Sequence, residues 1–379
     1  MQDKRVEDLL KQQVNEMLNE QPVAAEQEVS PRPRNEKPNK KKKHRFLKTT
    51  GLILAVLLLL IAMVIGTKGG RRIIYKAAGN FIYSNMKNED SKENIEEEIQ
   101  HSYSGRQEDY ITNYLIFGIE EFGGARNTDS MMIASIDTRD DSIKLTSLLR
   151  DSYVDIPDHK ANKLNSAYAK GGSKLLIDTI EKNYMIQIDG YAWVDFKAFE
   201  EIVDLMGGVT IELGKEEAKY LNTTNYISKK SNRKVKPGVN KLNGNQVMGY
   251  VRVRKVKTLG GANNDYGRIV RQQRALSAIF ESYKSTNVFK LMGVTKDCLS
   301  YVNTNLTKTQ INEAIEAVVE NRINTLETFR LPVDGAFDAP KKYNGIGYPL
   351  VLDWEVNRVE LYKFIYSDTE KEAKAALAE

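Results

Sequence analysis

Arginine and aspartate recur together along this chain: Arg126 with Asp129, Arg150 beside Asp151, Arg252 with Arg254, and Asp265 followed by Arg268 and Arg271. A guanidinium is planar, donates two parallel bonds and stays charged at any physiological pH, so clustered arginines suit phosphate oxygens. Carboxylates set among them can hold a divalent cation, and Mg²⁺ is the usual choice beside a phosphorylated ligand. The combination points to phosphate or pyrophosphate. No Ser–His–Asp arrangement, Walker phosphate loop or GxGxxG turn competes with that reading. One cysteine, Cys298, excludes an intramolecular disulfide and any multi-thiolate metal site, and with only His44, His101 and His159 a histidine-rich metal site is excluded in practice.

Spacing suggests where these groups converge. Val251-Arg252-Val253-Arg254 alternates, so an extended backbone puts both arginines on one face, whereas a helix would separate them by about 200°. The extended form is the productive one. Arg268, Arg271 and Gln272 are spaced i, i+3, i+4 and share a helix face beside an apolar stripe of Ile269, Leu276 and Phe280. A helix beginning near Asp265 would add its positive dipole end to an anion site.

The elements that must carry these residues lie behind a hydrophobic segment. Residues 49–67 are uncharged and 52–65 apolar throughout (LILAVLLLLIAMVI). As a helix the segment covers roughly 28 Å, close to a hydrocarbon core of about 30 Å, and it begins too far into the chain for a cleaved signal. It reads as an N-terminal single transmembrane helix. Lys40 to Lys43, Arg45 and Lys48 precede it and Lys68, Arg71, Arg72 and Lys76 come after it, which places residues 1–48 in the cytoplasm and 68–379 outside. Residues 1–48 read as a short amphipathic helix (Val6, Leu9, Leu10, Val14, Met17, Leu18) and a basic tether, and 68–109 as a stalk.

Beyond the stalk, residues 114–119, 130–136 and 142–148 read as strands, the last two joined by a hairpin turn at 137–141. Helical periodicity covers 173–184, 193–206, 268–283, 308–321 and 353–366, with a strand at 211–213 and a frayed charged tail at the end. This predicts an α/β fold, a mixed central sheet flanked by helices, over residues 110–331, with 332–379 as a C-terminal extension. A net charge of +5, from 56 basic against 51 acidic residues, is too small to argue for nucleic acid. With 41% apolar and 28% charged residues the bulk of the chain can bury a full core, so global disorder is excluded.

Residues 126–136 (RNTDSMMIASI), 146–157 (TSLLRDSYVDIP), 163–172 (KLNSAYAKGG), 242–254 (LNGNQVMGYVRVR) and 265–278 (DYGRIVRQQRALSA), in this order behind one membrane span, resemble the LytR–CpsA–Psr family of bacterial cell-envelope proteins. The resemblance implies an extracellular α/β domain with an apolar groove for a polyprenyl chain and an arginine-lined mouth that binds its pyrophosphate through Mg²⁺. It implies transfer of a glycopolymer (a teichoic acid, capsule or other wall polymer) from an undecaprenyl-pyrophosphate carrier to peptidoglycan, giving a phosphodiester link in a Gram-positive envelope. Asp129 matches the family's metal-binding aspartate; Arg150, Arg252, Arg254, Arg268 and Arg271 match its pyrophosphate arginines, and Gln272 its amide. Arg126, Lys163, Asp151 and Asp265 fill further polar positions of the motifs. Where the family's first motif reads Gly-apolar-Asp, this chain has Gly118-Ile119-Glu120, so Glu120 stands as the second metal ligand on a longer arm.

On that reading Asp129, Arg150, Asp151, Asp265 and Arg268 form the catalytic set, and either Asp265 or Asp151 accepts the acceptor hydroxyl's proton. The groove would be lined from 175–180, 196–206 and 269–280. Alternatives of the same fold are a module that holds polyprenyl pyrophosphate without transfer, and a pyrophosphate hydrolase. A DNA-binding regulator is disfavoured, because the 48 residues before the span carry no helix-turn-helix pattern.

Overall fold

The computed structural model describes residues 68–85, 87–88, 101–122, 125–284, 301–321, 323 and 325–378. The expected N-terminal helix, basic tether and membrane span lie outside them; among the described residues no helix is long and apolar enough to cross a membrane.

The chain runs through α1 (Lys68–Asn85), a short β1 (Lys87–Asn88), β2 (Ile111–Phe122), β3 (Ala125–Asp137) and β4 (Ser142–Leu148). A small ribbon, β5 (Tyr153–Val154) with β6 (Asn162–Lys163), leads into α2 (Ser166–Tyr184), β7 (Gly190–Asp195) and α3 (Phe196–Leu205). A second ribbon pairs β8 (Val209–Leu213) with β9 (Gly238–Leu242) around α4 (Lys215–Thr223), and α5 (Gly244–Val251) and α6 (Asn264–Lys284) come next. Then come β10 (Asn303–Thr304), α7 (Lys308–Glu320), β11 (Thr325–Leu331) and four short strands, β12 (Phe337–Asp338), β13 (Lys342–Tyr343), β14 (Ile346–Gly347) and β15 (Val351–Leu352). Helices α8 (Trp354–Tyr366) and α9 (Glu370–Ala376) end the described chain.

Seven strands form one mixed sheet in the order β1-β10-β7-β2-β3-β4-β11. The central β2–β3–β4 meander is antiparallel, while β7 and β11 run parallel to β2 and β4 on either side of it. Alternation along β2 explains the layering: Ile111, Asn113, Leu115, Phe117 and Ile119 are all buried on one face. There they pack with Leu176, Ile177 and Ile180 of α2 and with Val359, Tyr362 and Ile365 of α8. The opposite face looks toward a separate apolar cluster built from Val203 of α3, Ile211 of β8, Leu221 of α4, Val247 of α5 and Ala275 of α6.

Several expected boundaries move. Residues 193–195 finish β7, because Trp193 is needed against Phe117 (ring centroids 6.4 Å apart) and Asp195 caps α3 by accepting from Ala198 N at 2.7 Å. The helix expected from 173 begins at Ser166, broken at Gly171 and Gly172, whose backbones leave helical geometry. The expected stalk is partly sheet: β1 pairs with β10 at the sheet edge, and Arg106 forms a bridge to Ile186. Nor is 332–379 an appendage with a frayed tail. Its α8 closes the main core, and α9 is opened by a capping box between Thr369 and Glu372 with Ala373 buried in that core.

Two polar clusters fasten this C-terminal region. The Arg106 guanidinium stacks on Tyr366, 4.0 Å from the ring centre, and pairs with Asp368 and Glu108. Lys144 is buried, with Nζ donating to Asp137 (2.7 Å), Ile365 O (3.1 Å) and Ser367 Oγ (2.9 Å), and it lies 3.3 Å from Asp140. Ser367 Oγ donates to Asp140, and that bond, with Lys144 second to it, holds the Asp140 carboxyl down at about 2 from its ordinary 3.8. A folded pKa below the unfolded one stabilises fully above pH 3.8, and the contribution disappears as pH falls toward 2. Asp140→Asn should therefore lower the melting temperature slightly at neutral pH and flatten its decline across that acid window. A variant whose acid limb matches wild type would show that this carboxyl does not fasten the tail.

Candidate functional site

Ile116 sits in the middle of β2, paired on both sides, yet is 37% exposed. An open isoleucine in a central strand marks a groove rather than a packing fault. The even-numbered face of the sheet and the second apolar cluster stand apart, leaving a slot of about 420 Å³. Ile116, Gly118, Ser130, Met132 and Val194 form its floor. Its roof comes from Phe196 and Phe199 of α3, Met248 and Val251 of α5, Ala275 and Leu276 of α6, and Tyr226. The expected groove segments 196–206 and 269–280 contribute as predicted. Residues 175–180 do not: Leu176, Ile177 and Ile180 lie in the core behind the sheet, because α2 covers its other face.

Part of the slot's lining is cationic, with Arg252, Arg254, Lys255 and Arg268 alongside Gln272. Arg252 and Arg254 do not come from a strand. Val251 ends α5, Arg252 is its helical C-cap, and the chain then leaves as a loop. Both arginines reach the same cavity because the loop turns, not because of strand alternation. The Arg252 guanidinium lies over the Phe196 ring at 5.1 Å. Asp265, in the first turn of α6, takes Arg268 at 3.1 Å and Arg254 at 3.5 Å, so one carboxylate aligns two guanidiniums. Gln272 Oε1 accepts from Ser130 Oγ at 3.4 Å, tying α6 to the floor.

Arg271 is elsewhere. It is completely buried, its Nε donates to Glu217 Oε1 at 2.7 Å, and Nη1 and Nη2 donate to the carbonyls of Val253 (3.0 Å) and Val256 (2.9 Å). Glu217 Oε2 in turn accepts from Gly214 N at 2.9 Å and Leu259 N at 3.2 Å. The expected phosphate ligand is thus a clamp on the loop that carries Arg252 and Arg254. Burial, together with the Glu217 charge, pushes the neighbouring Tyr250 phenol up, so it stays neutral. The sequence carried no local sign of this pairing, since Glu217 lies 54 positions away on α4.

A second cavity of about 560 Å³ shares Arg268 with the slot. Here the structure assembles Arg150, Asp151, Lys163 and Asp265, four of the expected site residues. Asp151 is held by Lys163 Nζ at 2.8 Å and faces Arg150 Nε at 3.5 Å. Residues 348–350, which no sequence motif singles out, supply part of its wall.

Glu120, Arg126 and Asp129 are placed by backbone register. Gly118 pairs with Ser130 and Ile119 with Thr128, leaving Asp129 as the extra residue of a β-bulge; Glu120 pairs with Asn127 and Glu121 with Arg126. Two carboxylate-bearing residues thus occupy adjacent strands at one end of the ladder, beside the slot floor at Gly118 and Ser130. Hard oxygen donors of this kind fit Mg²⁺. Among the described residues no group of three or more histidines, cysteines or carboxylates could hold a metal ion.

The family model of the LytR_cpsA_psr family matches residues 76–358. The regulatory protein MsrR of Staphylococcus aureus strain Mu50 is 30% identical over 273 residues, 71% of this chain and 79% of MsrR. The polyisoprenyl-teichoic acid–peptidoglycan teichoic acid transferase TagU of Oceanobacillus iheyensis is 29% identical over 338 residues, 86% of this chain and 96% of TagU. The solved structure of the Bacillus subtilis protein YwtF (TagT), with bound octaprenyl pyrophosphate lipid, superimposes with a TM-score of 0.50 at 22% identity, covering 72% of this chain and 97% of that one. The chain belongs to the LytR–CpsA–Psr family, and its mixed sheet flanked by helices is that family's fold.

The buried clamp yields a test independent of activity. Removing one member of a buried, hydrogen-bonded ion pair strands the other charge and costs about 3–5 kcal/mol. Arg271→Met should lower the unfolding free energy by that order, read from denaturant midpoints at unchanged slope. A loss below about 1 kcal/mol, the range of an exposed pair, would show that the loop is held by other means.

Proposed function

We propose that this family member is a membrane-anchored phosphotransferase that moves a wall glycopolymer from a polyprenyl-pyrophosphate carrier to peptidoglycan, outside the cell. One observation carries the reading: a largely apolar slot whose lining also holds Arg252, Arg254 and Arg268, a combination complementary to a lipid tail joined to a pyrophosphate. The name of TagU and the lipid in YwtF (TagT) support it by likeness. The uncharged segment 49–67, with its basic N-terminal flank, supplies the single anchor that would keep the slot at the membrane surface.

The lipid tail lies against Ile116, Met132, Phe196 and Phe199, and the pyrophosphate meets Arg252, Arg254 and Arg268. An acceptor sugar hydroxyl attacks the glycan-side phosphorus in line. Its oxygen forms the new P–O bond, the bond to the bridging oxygen breaks, and polyprenyl phosphate departs with the electron pair. Guanidiniums already aligned by Asp265 offset the charge that develops on the departing oxygens, with no reorganisation at the moment of reaction. The hydroxyl proton passes to Asp265 or Asp151, both of which also orient cations of the site. Mg²⁺ held by Asp129 with Glu120 would supply further neutralisation of the pyrophosphate charge. No nucleic acid takes part.

The test uses the full chain in liposomes, with a polyprenyl-pyrophosphate-linked disaccharide and peptidoglycan fragments, and reads the phosphodiester product. Arg268→Ala should reduce turnover by about 10²–10³-fold, the usual cost of losing one positioned charge-stabilising donor. Donor binding without product would assign the protein to lipid holding, and release of free disaccharide phosphate to hydrolysis. A separate variant probes the slot. A Cβ at Gly118 would meet its nearest neighbours, Ser130 Cβ and Val194 O, only at 3.9 and 4.0 Å, so a side chain there has room. Gly118→Leu should fold normally, fill the slot floor and abolish binding of polyprenyl pyrophosphate; undiminished binding would place the lipid elsewhere.

A further inference from the structure

We propose that the second cavity, which shares Arg268 with the slot, is a saccharide-binding subsite, with Tyr348 as the platform on which a pyranose ring lies. This rests on the transferase reading for its biological purpose, but not for its geometry.

The cavity joins two kinds of lining that no lipid tail would choose. Its lining combines the charged Arg150, Asp151, Lys163 and Asp265 with the aromatic Tyr266, Phe337 and Tyr348. A pyranose presents hydroxyls around its edge and a face of C–H bonds, so it is held by charged hydrogen-bonding groups together with an aromatic face. An acyl or polyprenyl chain here would strip water from four charged side chains with nothing in return.

Tyr348 is the most telling residue. It is 70% exposed, so its ring is not kept for packing, and its φ is +53°, a left-handed conformation that is costly for a bulky residue. Backbone bonds fix the strained conformation. Tyr348 N donates to Lys341 O at 3.0 Å, and two residues on Leu350 N donates to Asp151 O at 2.8 Å, with Tyr153 N returning a bond to Leu350 O at 2.7 Å. The platform is therefore stitched to Asp151, one of the charged groups that line the cavity. The other rings nearby have partners already: Tyr266 lies beneath the Arg330 guanidinium at 4.2 Å and beside Phe337, and Tyr343 packs edge-on to Tyr153 with ring centres 5.1 Å apart. Those contacts brace the wall and leave the Tyr348 face to solvent.

Position agrees with chemistry. Because Arg268 lines both cavities, a sugar on Tyr348 shares a cavity with a residue that also lines the lipid slot. Two glycans could supply that sugar, the donor's first residues or the peptidoglycan acceptor, and they are separable by experiment.

The full chain in lipid nanodiscs would be titrated with four probes: muramidase-released peptidoglycan disaccharide-peptides, a sugar-free stem peptide, a polyprenyl-pyrophosphate-linked disaccharide, and bare polyprenyl pyrophosphate. Tyr348→Gly removes the ring and also suits the positive φ, so it should not disturb folding; Tyr348→Phe keeps the ring face. The Gly variant should weaken one sugar-bearing probe at least tenfold while bare lipid binds as before, and the Phe variant should stay within twofold of wild type. Weakening confined to the peptidoglycan fragments assigns the subsite to the acceptor, and weakening confined to the glycosylated lipid assigns it to the donor. Unchanged affinity for both, or loss matched by a sugar-free stem peptide, would overturn the proposal. If wild type fails to bind bare polyprenyl pyrophosphate while its sugar binding still depends on Tyr348, the transferase reading falls and the saccharide subsite stands.

Discussion

The ion pair between Arg271 and Glu217 is the constraint on which the site's geometry depends. It joins α6 to α4 inside the second apolar cluster, and its remaining donors and acceptor reach Val253, Val256, Gly214 and Leu259. The segment between α5 and α6 has no strand or helix of its own to fix it over residues 252–263, so these buried bonds set where its arginines stand. A buried pair of this kind contributes little net stability compared with a hydrophobic replacement, but its hydrogen-bond directions permit only one arrangement. That trade suits a loop whose value lies in placement.

The sheet provides the second constraint. With period-two alternation, one face of β2 and β3 is committed to the core under α2 and α8, and the other must be covered or left open. Helices α3, α5 and α6 cover it incompletely, and the uncovered strip is the slot. The bulge at Asp129 adjoins Gly118 and Ser130 of the slot floor. It re-aims the strand at the point where the chain changes from apolar floor to polar rim. Fold and site are thus the same feature seen at two scales: incomplete coverage of a sheet, bordered by arginines that a carboxylate at the start of α6 holds in line.

Much of this was legible in the sequence, and the exceptions have physical causes. Strands β2, β3 and β4 declared themselves by apolar runs around the turn at 137–141, and Arg252, Arg254 and Arg268 of the arginine motifs line one cavity. Trp193 fitted the helical periodicity of α3, so the β7–α3 junction was invisible until the pairing of β7 with β2 was seen. Arg252 and Arg254 looked like strand neighbours because alternation and a turning loop bring side chains together equally well. Arg271 looked like its neighbours Arg268 and Gln272 on a helix, while its actual partner came from a distant segment. The C-terminal residues looked polar because α9 joins the core through small residues, Ala373 buried in it and Ala376 packed against it.

The sharing of Arg268 by two cavities has an evolutionary consequence. The slot is walled by β2, β3, α3, α5 and α6, whereas the second cavity takes part of its wall from residues 337–350, a string of short strands whose sheet pairings lie outside the seven-stranded sheet. Substitutions in those hairpins change what the second cavity presents without touching the slot. A protein built this way can change the lining of one cavity while the other stays as it is.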